Sequence, residues 1–229
     1  MKSKRVLIIP ARKGSKRIKN KNSKFFFGKP IIQYSIDNAL KSKLFDKIII
    51  TTNDPKIINI KKKYRNKVLL IKRDQKFCKS SSKLIDVLND VILKMNKIDE
   101  FNEIYLLMPC APLLVAKDLV EGSKILKKND CFTSVIENRP STFLSYKIFN
   151  NKLKPLFMNK VNRDTSKLMK TFTDVGLYSG WKLKYFQQKY KNRNSFKFSP
   201  LILPATKGID IDIKSDWNFA EILFKTQKR

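Results

Sequence analysis

Near one end of the sequence stands ARKGSKR at residues 11–17, and seven basic residues fall between Arg12 and Lys24. The loop follows an apolar run, residues 6–9, closed by Pro10. A glycine, the Ser15 hydroxyl and the cations Arg12, Lys13, Lys16 and Arg17 at the end of a buried strand make a cradle for a polyphosphate. Backbone N–H groups and charge-assisted contacts would do the holding. With one glycine, the loop lacks the three of a dinucleotide fingerprint, and it lacks the Gly-Lys-Ser/Thr end of a P-loop. A solvated basic turn is the plainer alternative.

Near the other end stands Asp210-Ile211-Asp212. Residues two apart on a strand face the same side, so both carboxylates would project together while Ile209, Ile211 and Ile213 pack behind. Like charges held so close call for a cation or a proton. Magnesium suits the position, since it takes hard oxygen ligands from one or two carboxylates and from substrate phosphates. An exposed strand edge paired with surface lysines is the alternative. A third feature, LLMPCAPLL at residues 106–114, reads as a buried strand running into a proline-framed turn that could hold a flat ligand. Cys110 within it reads as a small buried thiol rather than a nucleophile.

Absences narrow the chemistry further. The chain has no histidine, which removes Ser-His-Asp and Cys-His machinery, His-ligated zinc and imidazole bases. Cys78, Cys110 and Cys131 are too few and too scattered for a disulfide framework or a four-cysteine metal site. A reducing, cytoplasmic setting is expected. No apolar run nears the roughly 18 residues of a membrane helix, and no secretion leader is expected. The net charge is +31, yet only nine of the 50 basic residues are Arg, and they are spread along the chain. Base-edge readout favours the Arg fork, so a lysine-rich solvated surface is expected, with no specific nucleic-acid partner. A basic nucleic-acid-binding module remains the alternative of a different class.

The elements that must position these residues alternate. Apolar runs at residues 6–9, 47–52, 68–71, 104–108, 131–136, 171–178, 201–203 and 209–213 predict strands. Helices are predicted after Pro30 as a first-turn residue, after Asn53-Asp54-Pro55, over Leu84, Leu88, Val91, Ile92 and Met95, over residues 118–127, and from Ser215. Ser80, Ser81 and Ser82 are read as an N-cap cluster. The alternation predicts an α/β fold, a mostly parallel central sheet with helices on both faces. Ligands of such sheets bind beyond the strands' carboxyl ends, which points to the loops after Ile9, Thr52, Met108 and Ile211. One domain, residues 1–229, is expected, with a small inserted lobe at residues 139–170. That lobe carries Phe143, Leu144, Ile148, Phe149, Leu156 and Phe157, which either meet a second copy or fold back onto the core.

At this point the motifs become recognisable. IIPARKGSKRIKNKN (residues 8–22) resembles the N-terminal signature of the sialic-acid-type cytidylyltransferases, the CMP-sialic acid synthetases and their relatives. FFFGKPIIQYSI (25–36), FDKIIITTND (45–54), LLMPCAPLL, DVGLYSG (174–180) and GIDIDIKSDW (208–217) follow in that family's order. The phrase before the proline turn and the DVGLYSG stretch look most like the pseudaminic acid branch. The resemblance implies a Rossmann-like nucleotidyltransferase that joins CTP to a nine-carbon sugar acid and releases pyrophosphate, with magnesium and as a homodimer. For that homodimer, residues 139–170 are the candidate dimerisation lobe, because they depart from the sheet and carry the apolar residues named above.

Carried over by position, Arg12, Ser15, Lys16, Lys21 and Asn22 fall on the CTP-binding signature, and Arg73 and Ser82 on further nucleotide-contacting positions. Asp210 and Asp212 match metal-binding carboxylates, and Arg163 a sugar-side arginine. Arg12, Lys16 and Lys21 are then expected to neutralise phosphate charge and Asp212 to take the anomeric proton. The sequence departs from the branch at Arg163-Asp164-Thr165-Ser166, where Arg-x-Gln-Asp is usual, and at Thr173, where histidine is usual. Those changes bear on the sugar, so N-acetylneuraminic and legionaminic acids stay as alternatives.

Overall fold

A computed structural model describes residues 3–79, 81–158 and 167–227. In chain order they form β1 (Arg5–Pro10), β2 (Phe25–Phe26), β3 (Lys29–Pro30), α1 (Ile32–Ser42), β4 (Lys47–Thr52), α2 (Pro55–Lys62), β5 (Leu69–Lys72) and α3 (Leu84–Lys94). Then come β6 (Glu103–Leu107), α4 (Ala116–Ile125), β7 (Cys131–Glu137), β8 (Tyr146–Phe149), β9 (Lys152–Pro155), β10 (Phe172–Lys182), α5 (Leu183–Lys189), β11 (Ser199–Leu203) and α6 (Lys214–Gln227). Seven strands join one sheet in the order β11-β7-β10-β6-β1-β4-β5.

β1 lies inside this sheet, parallel to β4 and β6. A strand covered on both faces must be apolar at successive positions. Val6, Leu7, Ile8 and Ile9 are all fully buried. Leu7 and Ile9 pack into one layer with Ile32, Ile36 and Ala39 of α1, Ile57 of α2 and Leu119 of α4. Val6 and Ile8 pack into the other with Leu88, Val91 and Ile92 of α3 and Phe186 of α5. Full burial of each such side chain contributes about 1.5–3 kcal/mol, and the two-residue period sends that contribution alternately to each face. The Rossmann-like α/β fold is as the sequence predicts. One strand breaks the parallel rule: β10 runs antiparallel to both β6 and β7. Its register shifts between Asp174 and Ser179, and Gly176 there takes φ +59°, a conformation that glycine adopts without steric cost.

Three local expectations are corrected. Pro30 does not open α1; it pairs with Phe25 in the small β2–β3 ribbon, and Ile31 precedes the helix. The serine cluster does not cap α3, because Lys83 occupies the cap position and no side chain bonds there. Ser80 itself lies outside the described residues. Residues 209–213 form no strand: the Asp212 and Ile213 N–H groups both donate to Asp216 Oδ2 at 2.8 Å instead of to a neighbouring strand. Asp216 stands in the first turn of α6, so the segment is the lead-in to that helix.

Within residues 139–170, β8 and β9 make a hairpin whose turn residues Asn150 and Asn151 both have positive φ, the twist that suits a two-residue connection. Its apolar residues do not fold back onto the core: Ile148 is 76% exposed and Leu153 67%.

A Cβ at Gly180 of β10 would lie 2.5 Å from the Phe132 ring and 2.8 Å from the Tyr105 ring. Gly180→Ala is therefore expected to lower unfolding free energy by about 1–3 kcal/mol through overpacking. Urea denaturation measures this, and an unchanged midpoint would contradict the packing described.

Candidate active site

The cationic loop leaves the sheet at the carboxyl end of β1 and is anchored on both sides. Ala11 N–H donates to the Thr51 carbonyl at 2.9 Å, and Lys13 N–H to Asn53 Oδ1 at 2.8 Å. Gly14 takes φ +91° where the chain turns, and Arg12 Nη1 donates to the Gly14 carbonyl at 3.2 Å. The loop then folds back through residues 18–24, so that buried Asn22 donates through Nδ2 to the Arg12 carbonyl at 3.1 Å. Asn22 Oδ1 in turn accepts from Cys110 Sγ at 3.1 Å, tying this loop to the proline turn after β6. That turn is held from α1, whose Ser35 hydroxyl donates to the Met108 carbonyl at 2.8 Å.

The acidic segment arrives from the far end of the sequence. Ile211 is fully buried against Ile18, Phe26 and Trp217, which fixes its flanking carboxylates beside the loop. Asp212 accepts from Arg17 Nη2 at 2.6 Å and from Lys21 Nζ at 3.2 Å, and Lys21 Nζ also donates to the Ile211 carbonyl. No hydrogen bond or ion pair from the described residues reaches the Asp210 carboxylate. Arg12, Ser15, Lys21, Asn22, Arg73, Ser82, Asp210 and Asp212 thus line one cleft of about 230 Å³ with Pro10, Met108 and Cys110. Lys16 and Arg17 line an adjoining cavity of about 330 Å³ that shares Arg12, Ser15, Lys21 and Asp212. Arg163 lies outside the described residues.

Charge in this cleft is out of balance. Arg73, just past β5, is 4% exposed, its Nε donates to the Phe77 carbonyl at 2.9 Å, and no carboxylate pairs with it among the described residues. A buried guanidinium without a counter-ion is costly, so the cleft is built for an anion. Burial lowers the Arg73 pKa; Cys78 pulls it back up, the neighbouring Arg12 charge lowers it by less, and the Asp90 charge raises it by less again. Asp210 keeps solvent access, yet the protein around its carboxyl and then the Asp212 charge push its pKa up. For Asp212, burial acts upward but is outweighed by the Lys21 hydrogen bond and the Lys21 and Arg17 charges, which hold it below the ordinary value. Burial pushes the Cys110 thiol up to about 12, which keeps it protonated and inert, as its sequence context suggests.

Donor chemistry fits a divalent cation at the acid pair: two hard carboxylates, one lacking any protein partner. No group of three or more His, Cys, Asp or Glu is arranged for a metal among the described residues. A magnesium ion here would therefore draw its remaining ligands from water and phosphate oxygens. The sequence did not assign two contacts at the acid pair, those of Arg17 and Asp216. Arg17 stands in the basic loop with nothing to mark it as the partner of Asp212. Asp216, four residues after Asp212 and at a helix start, does carry a capping signal.

The chain was compared with known proteins. A family model described as "Cytidylyltransferase" matches residues 6–140. Pseudaminic acid cytidylyltransferase of Campylobacter jejuni is 30% identical, with 97% of each chain covered. CMP-N,N'-diacetyllegionaminic acid synthase of Legionella pneumophila is 27% identical, with 95% of each covered. Among solved structures, CMP:2-keto-3-deoxy-manno-octonic acid synthetase complexed with CTP superposes with a TM-score of 0.71 at 18% identity, covering 98% of this chain and 100% of that one.

The two aspartates are expected to act on stability with opposite signs. The folded-state pKa of Asp212 is depressed, so its contribution is present above the unfolded value, about 3.9, and is lost as pH falls through the folded value. The folded-state pKa of Asp210 is raised, so its ionised form destabilises the fold at neutral pH and ceases to do so in acid. At pH 7 with a chelator present, Asp212→Asn should lower the melting temperature and Asp210→Asn should raise it. Both differences should shrink as pH falls below the unfolded value; shifts of the same sign at pH 7 would refute the assignment.

Proposed function

The chain belongs to the cytidylyltransferase family, and we propose that it joins CTP to a nine-carbon sugar acid, pseudaminic acid in the first instance, with release of pyrophosphate. Membership makes it an enzyme of the nucleotidyltransferase class. The observation that carries the reading is the cleft itself, where the buried, unpaired Arg73 faces Arg12, Lys21 and the Asp210–Asp212 pair. The sugar assignment is supported by the 30% identity to a pseudaminic acid cytidylyltransferase, against 27% to a legionaminic acid enzyme. CMP-legionaminate and CMP-N-acetylneuraminate synthesis remain the alternatives.

The reaction needs no covalent nucleophile. The anomeric hydroxyl oxygen attacks the α-phosphorus of CTP in line with the departing pyrophosphate, so the protein supplies position and charge. Arg12, Lys16, Lys21 and Arg73 hold phosphate oxygens and neutralise charge on the leaving group. Ser15, Asn22 and Ser82 orient the nucleotide against the turn at Met108. Magnesium held by Asp210 and Asp212 would supply further neutralisation of the phosphates. Asp212 accepts the anomeric proton, and because Lys21 and Arg17 weaken it as a base, it does so once those cations have turned to phosphate oxygens. Arg163 is the sugar-side arginine of this reading.

Two further points belong to it. The chain is proposed to pair with a second copy through residues 139–170, which the exposed hairpin residues Ile148, Phe149 and Leu153 support. The setting is proposed as cytoplasmic; no helix among the described residues is long and apolar enough to cross a membrane.

Released pyrophosphate, assayed over panels of nucleotides and sugar acids, tests the activity: CTP with pseudaminic acid should turn over fastest, and preference for another nucleotide would overturn the reading. Asp212→Ala should cut turnover by roughly a hundredfold or more with the circular dichroism spectrum unchanged, and unaltered turnover would remove Asp212 from the mechanism. Lys21→Ala should raise the KM for CTP, whereas an effect confined to the KM for the sugar would make the phosphate assignment wrong.

A further inference from the structure

Beside the cationic loop lies a cavity of about 820 Å³ whose lining does not include Asp210 or Asp212. Five cations line it: Arg17, Lys19 and Lys24 from the loop, Lys56 from the first turn of α2, and Lys214 from the start of α6. No carboxylate lines it among the described residues. A lysine-rich chain does not by itself produce such a wall. The cavity of about 860 Å³ around Lys4 and Lys182 is lined by Asp99, Glu100 and Glu103 as well, and Lys4 pairs with Glu100 at 3.0 Å. The floor of the five-cation cavity is apolar, made by Ile18, Pro30, Ile60 and the 67%-exposed Phe25 ring. Five cations around an apolar floor, with Arg17 ion-paired to Asp212 outside that lining, match an anion that carries more than one charge.

Its walls are also the two segments that build the active cleft. Arg17 borders both cavities and spans them, with its guanidinium 2.6 Å from Asp212. Lys214 follows Asp212 by two residues. An anion seated in this cavity therefore competes with Asp212 for Arg17.

We propose that this cavity is a second anion site, distinct from the CTP cleft, which binds a diphosphate group and is coupled to the active site through Arg17. Coupling is reciprocal: whatever draws Arg17 away from Asp212 tightens the diphosphate, and the diphosphate frees Asp212 from one of its two cations. The site itself stands on its own walls, while the meaning of the coupling for turnover rests on the cytidylyltransferase reading.

Calorimetry with inorganic pyrophosphate on the full chain, in EDTA, tests both parts. The wild type should bind two equivalents per chain, and Lys19→Ala with Lys56→Ala should remove one of them or weaken it by about tenfold or more. One equivalent in the wild type, or two unchanged in that double variant, would overturn the site. Lys21→Ala with Arg73→Ala should remove the other equivalent; if it does not while the Lys19/Lys56 effect holds, the cleft assignment fails and this proposal stands. Asp212→Asn releases Arg17, so it should tighten the Lys19/Lys56-dependent equivalent roughly fivefold or more, and unchanged or weaker affinity would overturn the coupling. With ADP in place of pyrophosphate, tighter binding assigns the site to a nucleoside diphosphate, and equal or weaker binding assigns it to the bare anion.

Discussion

The ion pairs at Asp212 are the constraint around which the cleft is arranged. Arg17 reaches this carboxylate across 195 positions of sequence, and Lys21 joins it. They close the loop after β1 against the segment before α6. Without that closure the cations of residues 12–21 would repel one another on an open loop, in a chain that already carries +31. Buried Ile211 provides the mechanical half of the contact, because its side chain enters the cluster of Phe26 and Trp217 and cannot move without opening it. A polar contact and an apolar one therefore fix the same three residues.

The architecture was legible in the sequence wherever burial alone decides structure. β4 (Lys47–Thr52) has the limits its apolar pattern predicts, and β1 differs by one residue at each end. The strand-end rule marked the ARKGSKR loop after β1 and the turn after β6, but it gave no valid mark for Asp210 and Asp212, whose segment forms no strand and reaches the loop as the lead-in to α6. The failures occur where a competing hydrogen bond decides. The isoleucines at 209, 211 and 213 have strand character, but Asp216 takes the N–H groups that a strand would need. Serines at 80–82 have cap character, but α3 starts two residues later, behind Lys83. Arg17 could not be singled out from its neighbours, because which cation reaches a distant carboxylate depends on how the loop folds back.

β10 shows how a departure from the simple fold serves the site. Its antiparallel course places the Asp174–Ser179 irregularity beside the end of β6, where the Leu177 carbonyl accepts from Met108 N–H at 2.8 Å. Asp174 Oδ1 accepts from the Gly176 N–H and from the Thr133 hydroxyl, holding the irregular stretch in one shape. The proline turn on the floor of the cleft is thus supported from below by a strand that a purely parallel sheet would lack. Stretches such as DVGLYSG and LLMPCAPLL, far apart in sequence, become two halves of one support.

A lysine surface without a single imidazole has a consequence for encounter kinetics. Lysine and arginine keep their charge through the whole neutral range, so the long-range field that draws anions toward the cleft is nearly the same in mildly acidic and mildly alkaline surroundings. Dissolved salt is what tunes it, since the screening distance is about 8 Å at physiological ionic strength and about 30 Å in dilute buffer. Such a molecule senses the ions around it far more than the protons, and its rate of capture follows the ionic strength of its surroundings.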